Sequence, residues 1–277
     1  MNRKVAQLVL CFVAMSLMFS ICKDEEETKA DRVPRLEEAK QWELAQKETS
    51  IEAYEAYVAF HPQGPRIKDA KASLISLWDE KVNDLSPQDM ENLTAVIETN
   101  YGAIKFKFHP SDAPGHIRNF IKLAKSHFYD GLIYHRIIDG FMIQGGDPLG
   151  NGKGGPGYRI KAEFNQRKHL EGTVAMARTR ESNDTAGSQF YICLAPQPRL
   201  DGFYTVFGQV FEGMDVVHSI GKLPTYRERP IRAVVDETGA RLNIPLDANG
   251  LPREGPLPAG ARILDIPVMN KVYIEGL

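Results

Sequence analysis

Three different spacings of apolar residues follow one another along the chain. A mostly apolar run from Val5 to Ile21 comes first and gives way after Cys22 to the charged stretch KDEEETKADR. From about residue 34 to residue 92 the apolar positions recur every three or four residues. Ile67, Ala70, Leu74, Leu77 and Trp78 form one stripe, the period of a helix with one buried face. A preceding helix is predicted to start at TSIE, where Thr49 can cap and Glu52 can reciprocate, and to end near HPQGP. At residue 94 the period drops to two. TAVIETNYGAIKFKF alternates on both sides of TNYG, with Ile104, Phe106 and Phe108 on one face and Lys105 and Lys107 on the other, which predicts a half-buried hairpin. The helical period returns in SDAPGHIRNFIKLAKSHFY, with Pro114 near the first turn and Ile117, Phe120, Ile121 and Ala124 on one face. Short strand-like runs then follow: YHRII, FMIQGG, GTVAMAR, SQFYICLA and YTVFGQVF. Glycines and short polar stretches separate them, which predicts a mainly β domain built as an antiparallel barrel or sandwich.

At 277 residues, 43% hydrophobic and 25% charged, the chain has the length and composition of one or two globular domains. A formal net charge of -2 argues against a polyanion partner, so no nucleic acid is expected. Arg3 and Lys4 ahead of the apolar run give residues 1–22 the profile of an export signal, and the run is shorter than the ~20 residues a spanning helix needs. FSIC resembles a loose bacterial lipobox, which makes Cys22 the expected lipidation site and residues 23–33 an acidic linker. Ile21 departs from the small residue usual before that cysteine, so simple secretion and a retained anchor stay open as alternatives. Of the three cysteines, Cys11 would leave with the signal and Cys22 would carry lipid. Cys193, within FYICLA, is then expected to be buried and free of any disulfide. Within residues 34–92, AYEAYVAFHPQGP followed by a helix resembles a single tetratricopeptide-like hairpin. Such a unit is a packing or spacer element or, alternatively, a docking surface for a protein partner.

The remaining motifs exclude more than they assign. GGDPLGNGKGGPG is not a phosphate loop, because Lys153 is followed by Gly154 rather than Ser or Thr and no strand-to-helix context surrounds it. Tight turns account for its glycines. The histidines show no ligand spacing, so no metal is expected.

Three long motifs in order, YHRIIDGFMIQGGDP, EGTVAMARTRESNDTAGSQFYICLA and RLDGFYTVFGQVFEGMDVV, resemble the cyclophilin family of peptidyl-prolyl cis-trans isomerases. The resemblance runs almost continuously over residues 94–222 and resumes at PVMNKVYIEG. It implies an eight-stranded antiparallel cyclophilin-like barrel capped by two helices, the second after Gly213, with a proline-binding groove on its outside and no cofactor. It places this domain at 93–277, with an insertion at about 232–266 that reads as an irregular loop with a hairpin near DANG. Arg136 matches the family's catalytic arginine, and Gln144 matches a polar group that steadies it. Phe141, Met142, Tyr191 and Leu200 match the apolar pocket for the proline ring, and Gln189 a polar group near the substrate backbone. Ala177 and Arg178 match the strand that pairs with the peptide through its main chain, leaving the Arg178 side chain free to vary. Arg199 stands where many members have tryptophan, which implies weaker binding of cyclosporin-type inhibitors. Tyr204 stands where many have histidine and still offers a hydroxyl to the groove. Arg178, Arg180 and Arg199 together imply a preference for acidic residues near proline. The implied partners are proline-containing unfolded or flexible polypeptides and, through Cys22, a lipid bilayer in the periplasm or on the outer surface. A proline-peptide scaffold and a holdase chaperone are the alternatives from other functional classes.

Overall fold

A computed structural model describes residues 29–277 except 239, 243, 245, 247–256, 258 and 259. The signal segment, Cys22 and the DANG turn lie outside the described residues. The chain divides into two units, residues 1–70 and 71–277.

In the first unit, α1 (Lys29–Glu48) and α2 (Ile51–Phe60) are joined by a two-residue break. Helix α1 begins at Lys29, inside the stretch 23–33 read as an acidic linker. The cap of α2 also differs from expectation. Ser50 accepts from the Ala53 N–H at 3.1 Å, while Thr49 turns the chain with a φ of 47°. Trp42 packs its ring 5.2 Å from Tyr57 and 6.0 Å from Tyr54. Buried Glu38 accepts hydrogen bonds from the Tyr57 hydroxyl and from Arg66 at 2.8 and 2.9 Å. Burial disfavours its charge, yet these bonds prevail and hold the carboxyl below its ordinary range.

Next come α3 (Ile67–Asn83) and the short α4 (Pro87–Glu91), the latter held by a capping box between Ser86 and Asp89. The predicted stripe is present on α3: Ala70 and Leu74 are buried, and Ile67, Leu77 and Trp78 are half-buried. Among the described residues no helix is long and apolar enough to cross a membrane.

The period-two hairpin and the short strand-like runs form the strands of the second unit. These are β1 (Thr94–Thr99), β2 (Gly102–Phe108), β3 (Arg136–Ile138), β4 (Met142–Gly145), β5 (Thr173–Met176), β6 (Phe190–Cys193) and β7 (Val206–Glu212), with β13 (Met269–Glu275) at the chain end. They make one eight-stranded sheet in the order β13-β1-β2-β7-β5-β6-β4-β3, antiparallel at every pairing. The segment just before β3 joins the two ends of this order. Ile133 bridges Val268, and the Tyr134 N–H donates to the Pro267 carbonyl at 3.0 Å. The sheet therefore curls on itself, as the resemblance implied.

Two helices pack on the sheet. In α5 (Pro114–Lys125), Phe120 reaches into the interior, with its ring centroid 5.3 Å from Phe106, 5.0 Å from Tyr129, 5.6 Å from Phe190 and 5.7 Å from Phe207. No side chain caps α5 locally; Glu163 does so from 47 residues on. It accepts from the N–H groups of Gly115 and His116 at 3.0 and 2.9 Å and from the His116 ring at 2.7 Å. Burial alone would raise the Glu163 pKa, but these donors outweigh it and keep the carboxyl below its usual range. The second helix, α6 (Met214–Gly221), follows Gly213, whose φ is 88°. A Cβ there would sit 2.2 Å from the Ala103 carbonyl, so only glycine lets the chain turn this close to β2.

After α6 the chain forms a hairpin, β8 (Thr225–Tyr226) and β9 (Arg229–Pro230), and then a small sheet of β10 (Ala233–Val235), β11 (Arg241–Leu242) and β12 (Arg262–Leu264) in the order β11-β10-β12. The insertion is thus not an irregular loop throughout: its Ala-Val-Val run is fully buried and pairs on both sides. Its end is tied to the β1–β2 turn. The Tyr101 hydroxyl donates to the Asp265 carbonyl and Asn100 Nδ2 to the Ile266 carbonyl at 3.0 Å.

The glycine-rich segment after β4 is organised by a buried carboxylate. Asp147 accepts from the N–H groups of Leu149 at 2.8 Å, Asn151 at 3.0 Å and Gly152. Burial opposes its charge, and the ring of amides holds its pKa below the ordinary value nonetheless. A Cβ on Gly154 would lie 1.9 Å from Asp147 Oδ1.

Two stability predictions follow from these carboxylates. Because the folded Glu163 pKa is depressed, its contribution is present above the unfolded value, about 4.3, and is lost as pH falls through the folded one. Urea denaturation should show Glu163→Gln less stable by ~1–2 kcal/mol at pH 7, with a shallower loss toward acid. Gly154→Ala should lower Tm by roughly 4–8 °C in thermal unfolding, since the carboxylate that holds the loop must move.

Candidate active site

The alternation that fills the interior also builds the outer site. Across the ladder Arg136 lies opposite Gln144, Gln144 opposite Tyr191, and Tyr191 opposite Ala175. These residues form one row on the outer face, while their neighbours Ile137, Ile143, Ile192 and Val174 point into the core. Two positions along, Ile138, Met142 and Cys193 form a second outer row. Loop residues Phe141, Ala177, Leu200 and Tyr204 pack against these rows, and with Val206 they make a small apolar cluster separate from the core.

A pocket of about 110 Å³ opens in that cluster, lined by Arg136, Phe141, Met142, Gln144, Ala177, Arg178, Tyr191, Leu200 and Tyr204. The structure therefore brings together every sequence-predicted site residue within the described region except Gln189. That residue lines an adjoining cleft of about 480 Å³ instead, walled by the glycine-rich segment, Tyr158 and Arg159 and sharing Gln144, Ala177 and Arg178 with the pocket. Cys22 lies outside the described residues.

Polar contacts run from the arginine to the glycine loop. Arg136 Nη1 approaches Gln144 Oε1 at 3.4 Å, Gln144 Nε2 donates to Gln189 Oε1 at 2.9 Å, and Gln189 Nε2 donates to the Gly154 carbonyl at 2.8 Å. Arg136 Nε pairs with Glu228 Oε2 at 2.6 Å. The preceding His135 is buried, and burial holds its pKa below the ordinary imidazole value, so it adds no second positive charge beside Arg136 at pH 7.

The floor of the pocket has support that the sequence did not disclose. The Tyr191 hydroxyl meets His169 Nε2 at 3.0 Å, and His169 Nδ1 meets Asp201 Oδ1 at 3.0 Å. Asp201 also accepts the His169 backbone N–H at 2.8 Å. With Nδ1–H donated to the carboxylate, Nε2 is the acceptor for the tyrosine hydroxyl, and burial keeps the ring's pKa low. Asp201 adjoins Leu200 in the RLDGF motif, which was the one local hint; nothing in the sequence places His169 beneath Tyr191.

The Arg178 side chain has definite partners. Its Nε donates to the Phe203 carbonyl at 3.0 Å and Nη1 to the Thr179 carbonyl at 3.1 Å, and its guanidinium lies 4.9 Å from the Tyr204 ring. Arg199 covers Phe141 at 5.0 Å, so both arginines sit on aromatic rings of the site. Cys193 is buried and its thiol is pushed up to about 12 by burial, which leaves it protonated and unreactive.

The family model for the cyclophilin type peptidyl-prolyl cis-trans isomerase/CLD matches residues 94–239, the stretch that contains this pocket. A peptidyl-prolyl cis-trans isomerase of Synechococcus elongatus is 51% identical over 128 residues, 46% of this chain and 87% of that protein. One from Helicobacter pylori is 48% identical over 130 residues, covering 46% and 78% respectively. Peptidyl-prolyl cis-trans isomerase B of Bacillus subtilis is 45% identical over 125 residues, covering 45% and 87%. With the curled eight-stranded sheet and the outer pocket already in place, these matches show that the chain belongs to the cyclophilin family of peptidyl-prolyl cis-trans isomerases.

Proposed function

We propose that this isomerase turns X-Pro bonds by stabilising the twisted amide, with Arg136 as the hydrogen-bond donor to the proline nitrogen. Rotation about the amide meets a barrier of ~18–20 kcal/mol because resonance gives the bond double-bond character. In the twisted state the nitrogen lone pair leaves resonance and becomes an acceptor. A cation aimed at it favours that state over the planar ground state and so lowers the barrier. The observation that carries this reading is the juxtaposition in one pocket of the Arg136 guanidinium with apolar walls from Phe141, Met142, Tyr191 and Leu200. Those walls suit a proline ring, and arginine keeps its charge at any physiological pH. No nucleophile or general base is needed. Gln144 steadies Arg136 and reaches toward the substrate backbone, with Gln189 behind it. Ala177 and Arg178 offer main-chain groups along the rim, and Tyr204 offers its hydroxyl.

The clients in this reading are exported polypeptides with slow proline-limited folding. The support is in the sequence alone: Arg3 and Lys4, the apolar run that follows, and Cys22 at its end. Acylation at Cys22 anchors the enzyme to a membrane outside the cytoplasm.

Two measurements test these proposals. Isomerisation of a proline tetrapeptide by the full chain should fall by about 10²–10³ in kcat/KM on Arg136→Ala, the loss typical of removing a transition-state donor, with Tm changed by no more than about 2 °C. Equal turnover by the two proteins would sink the arginine mechanism. In cell fractionation, Cys22→Ala should move the protein from the membrane to the soluble fraction; retention in the membrane fraction would remove Cys22 as the anchor.

A further inference from the structure

The arginine assigned to catalysis is gripped from the side by a residue outside the motifs that carry the family resemblance. Glu228 lies in the two-residue turn between β8 and β9, and its Oε2 meets Arg136 Nε at 2.6 Å. The Gln144 contact to Nη1 is long at 3.4 Å, too weak to orient the guanidinium alone. Among the described residues no partner engages Nη2. The strong bond thus falls on Nε and leaves a terminal nitrogen for a substrate.

The backbone around Glu228 is committed to this placement. Arg227 and Glu228 both adopt left-handed conformations, with φ of 51° and 66°. A two-residue hairpin turn of this kind ordinarily carries Asn-Gly or Asp-Gly, so two long side chains here occupy a costly conformation. Strain of this sort persists where surrounding contacts determine it. Those contacts are present on both sides of the turn. The Ile137 N–H, one residue from Arg136, donates to the Glu228 carbonyl at 2.7 Å. Arg229 Nη2 reaches the Asn151 carbonyl of the glycine-rich segment at 3.4 Å.

We propose that Glu228 is a positioning residue for the isomerisation: it fixes the rotation of the Arg136 guanidinium so that its free donors face the proline pocket. The inference rests on the reading of Arg136 as the donor. The pair is partly exposed, with side chains 38% and 50% accessible, so it contributes little to stability and shows itself in catalysis.

The test uses the full chain and the proline tetrapeptide. Glu228→Gln, which keeps shape and removes charge, should lower kcat about three- to tenfold, with KM and Tm unchanged. Glu228→Asp should restore part of the loss. Glu228→Gly, which relieves the left-handed strain, should be at least as stable as the wild type yet lose kcat like the glutamine variant. In an Arg136→Lys background, where Nε is gone, Glu228→Gln should have no further effect. Wild-type kcat in Glu228→Gln with an inactive Arg136→Ala overturns the positioning role alone. Full activity in Arg136→Ala overturns the underlying mechanism. The same fold loss from Glu228→Gln in both backgrounds shows that Glu228 acts elsewhere and also overturns the inference.

Discussion

An antiparallel sheet curled around one apolar core must send alternate side chains in opposite directions, and the register of its strands decides which residues meet on each side. In this isomerase that single constraint builds two environments at once. Ile137, Ile143, Ile192 and Val174 go inward to the aromatic cluster around Phe120, and their neighbours Arg136, Gln144, Tyr191 and Ala175 go outward in one row. A slip of one residue in β4 would bury Gln144 and expose Ile143, so the core's demand for apolar side chains also holds the site in register. The bridge between Ile133 and Val268, immediately before β3, joins the ends of the sheet close to the strand that carries Arg136.

A cation beside an apolar pocket needs partners that orient it without burying it. Arg136 stays partly exposed, which limits the desolvation cost, and has Glu228 on one edge and Gln144 on another. The amides of Gln144 and Gln189 continue the chain of polar contacts to the carbonyls of the glycine loop, whose shape depends on the Asp147 carboxylate. Beneath the pocket, the Asp201, His169 and Tyr191 contacts fix a ring that in purely apolar surroundings would have only packing to hold it. The polar groups beneath the pocket thus act as supports, while Arg136, Gln144 and Arg178 share its lining with Phe141, Met142, Tyr191 and Leu200.

The parts outside the barrel obey the same physics with other residues. In the helical unit, Glu38 is buried at the cost of desolvation and is retained by Tyr57 and Arg66, which together satisfy both of its oxygens. In the insertion, β10 is buried and paired on both sides, and the return to β13 is stitched to Asn100 and Tyr101 at the first hairpin. No described residue of the insertion lines the pocket beside Arg136 or the adjoining cleft.

Periodicity located the helix at Pro114–Lys125 and the β1–β2 hairpin, because burial on one face imposes a spacing, whereas the short strands after residue 130 were marked by the glycines and polar stretches between them, β5 and β6 being buried at every position. The long ordered motifs supplied the candidate site, and the pocket gathers Arg136, Phe141, Met142, Gln144, Tyr191 and Leu200 as the resemblance implied. The pairs between distant residues were not legible. Glu163 caps α5 across 47 residues, His169 supports Tyr191 across 22, and Glu228 grips Arg136 across 92. An isolated glutamate or histidine in a loop carries no periodic signal, and its partner is chosen only when register and closure bring the two together. The local cap at Ser50 rather than Thr49 shows the same limit at short range, since both residues have a capping hydroxyl and backbone geometry makes the choice. The sequence by itself therefore determined the alternation, the helical faces and the chemistry of the pocket. Tertiary structure decided the charge partners and supports, because these depend on distances that no spacing along the chain encodes.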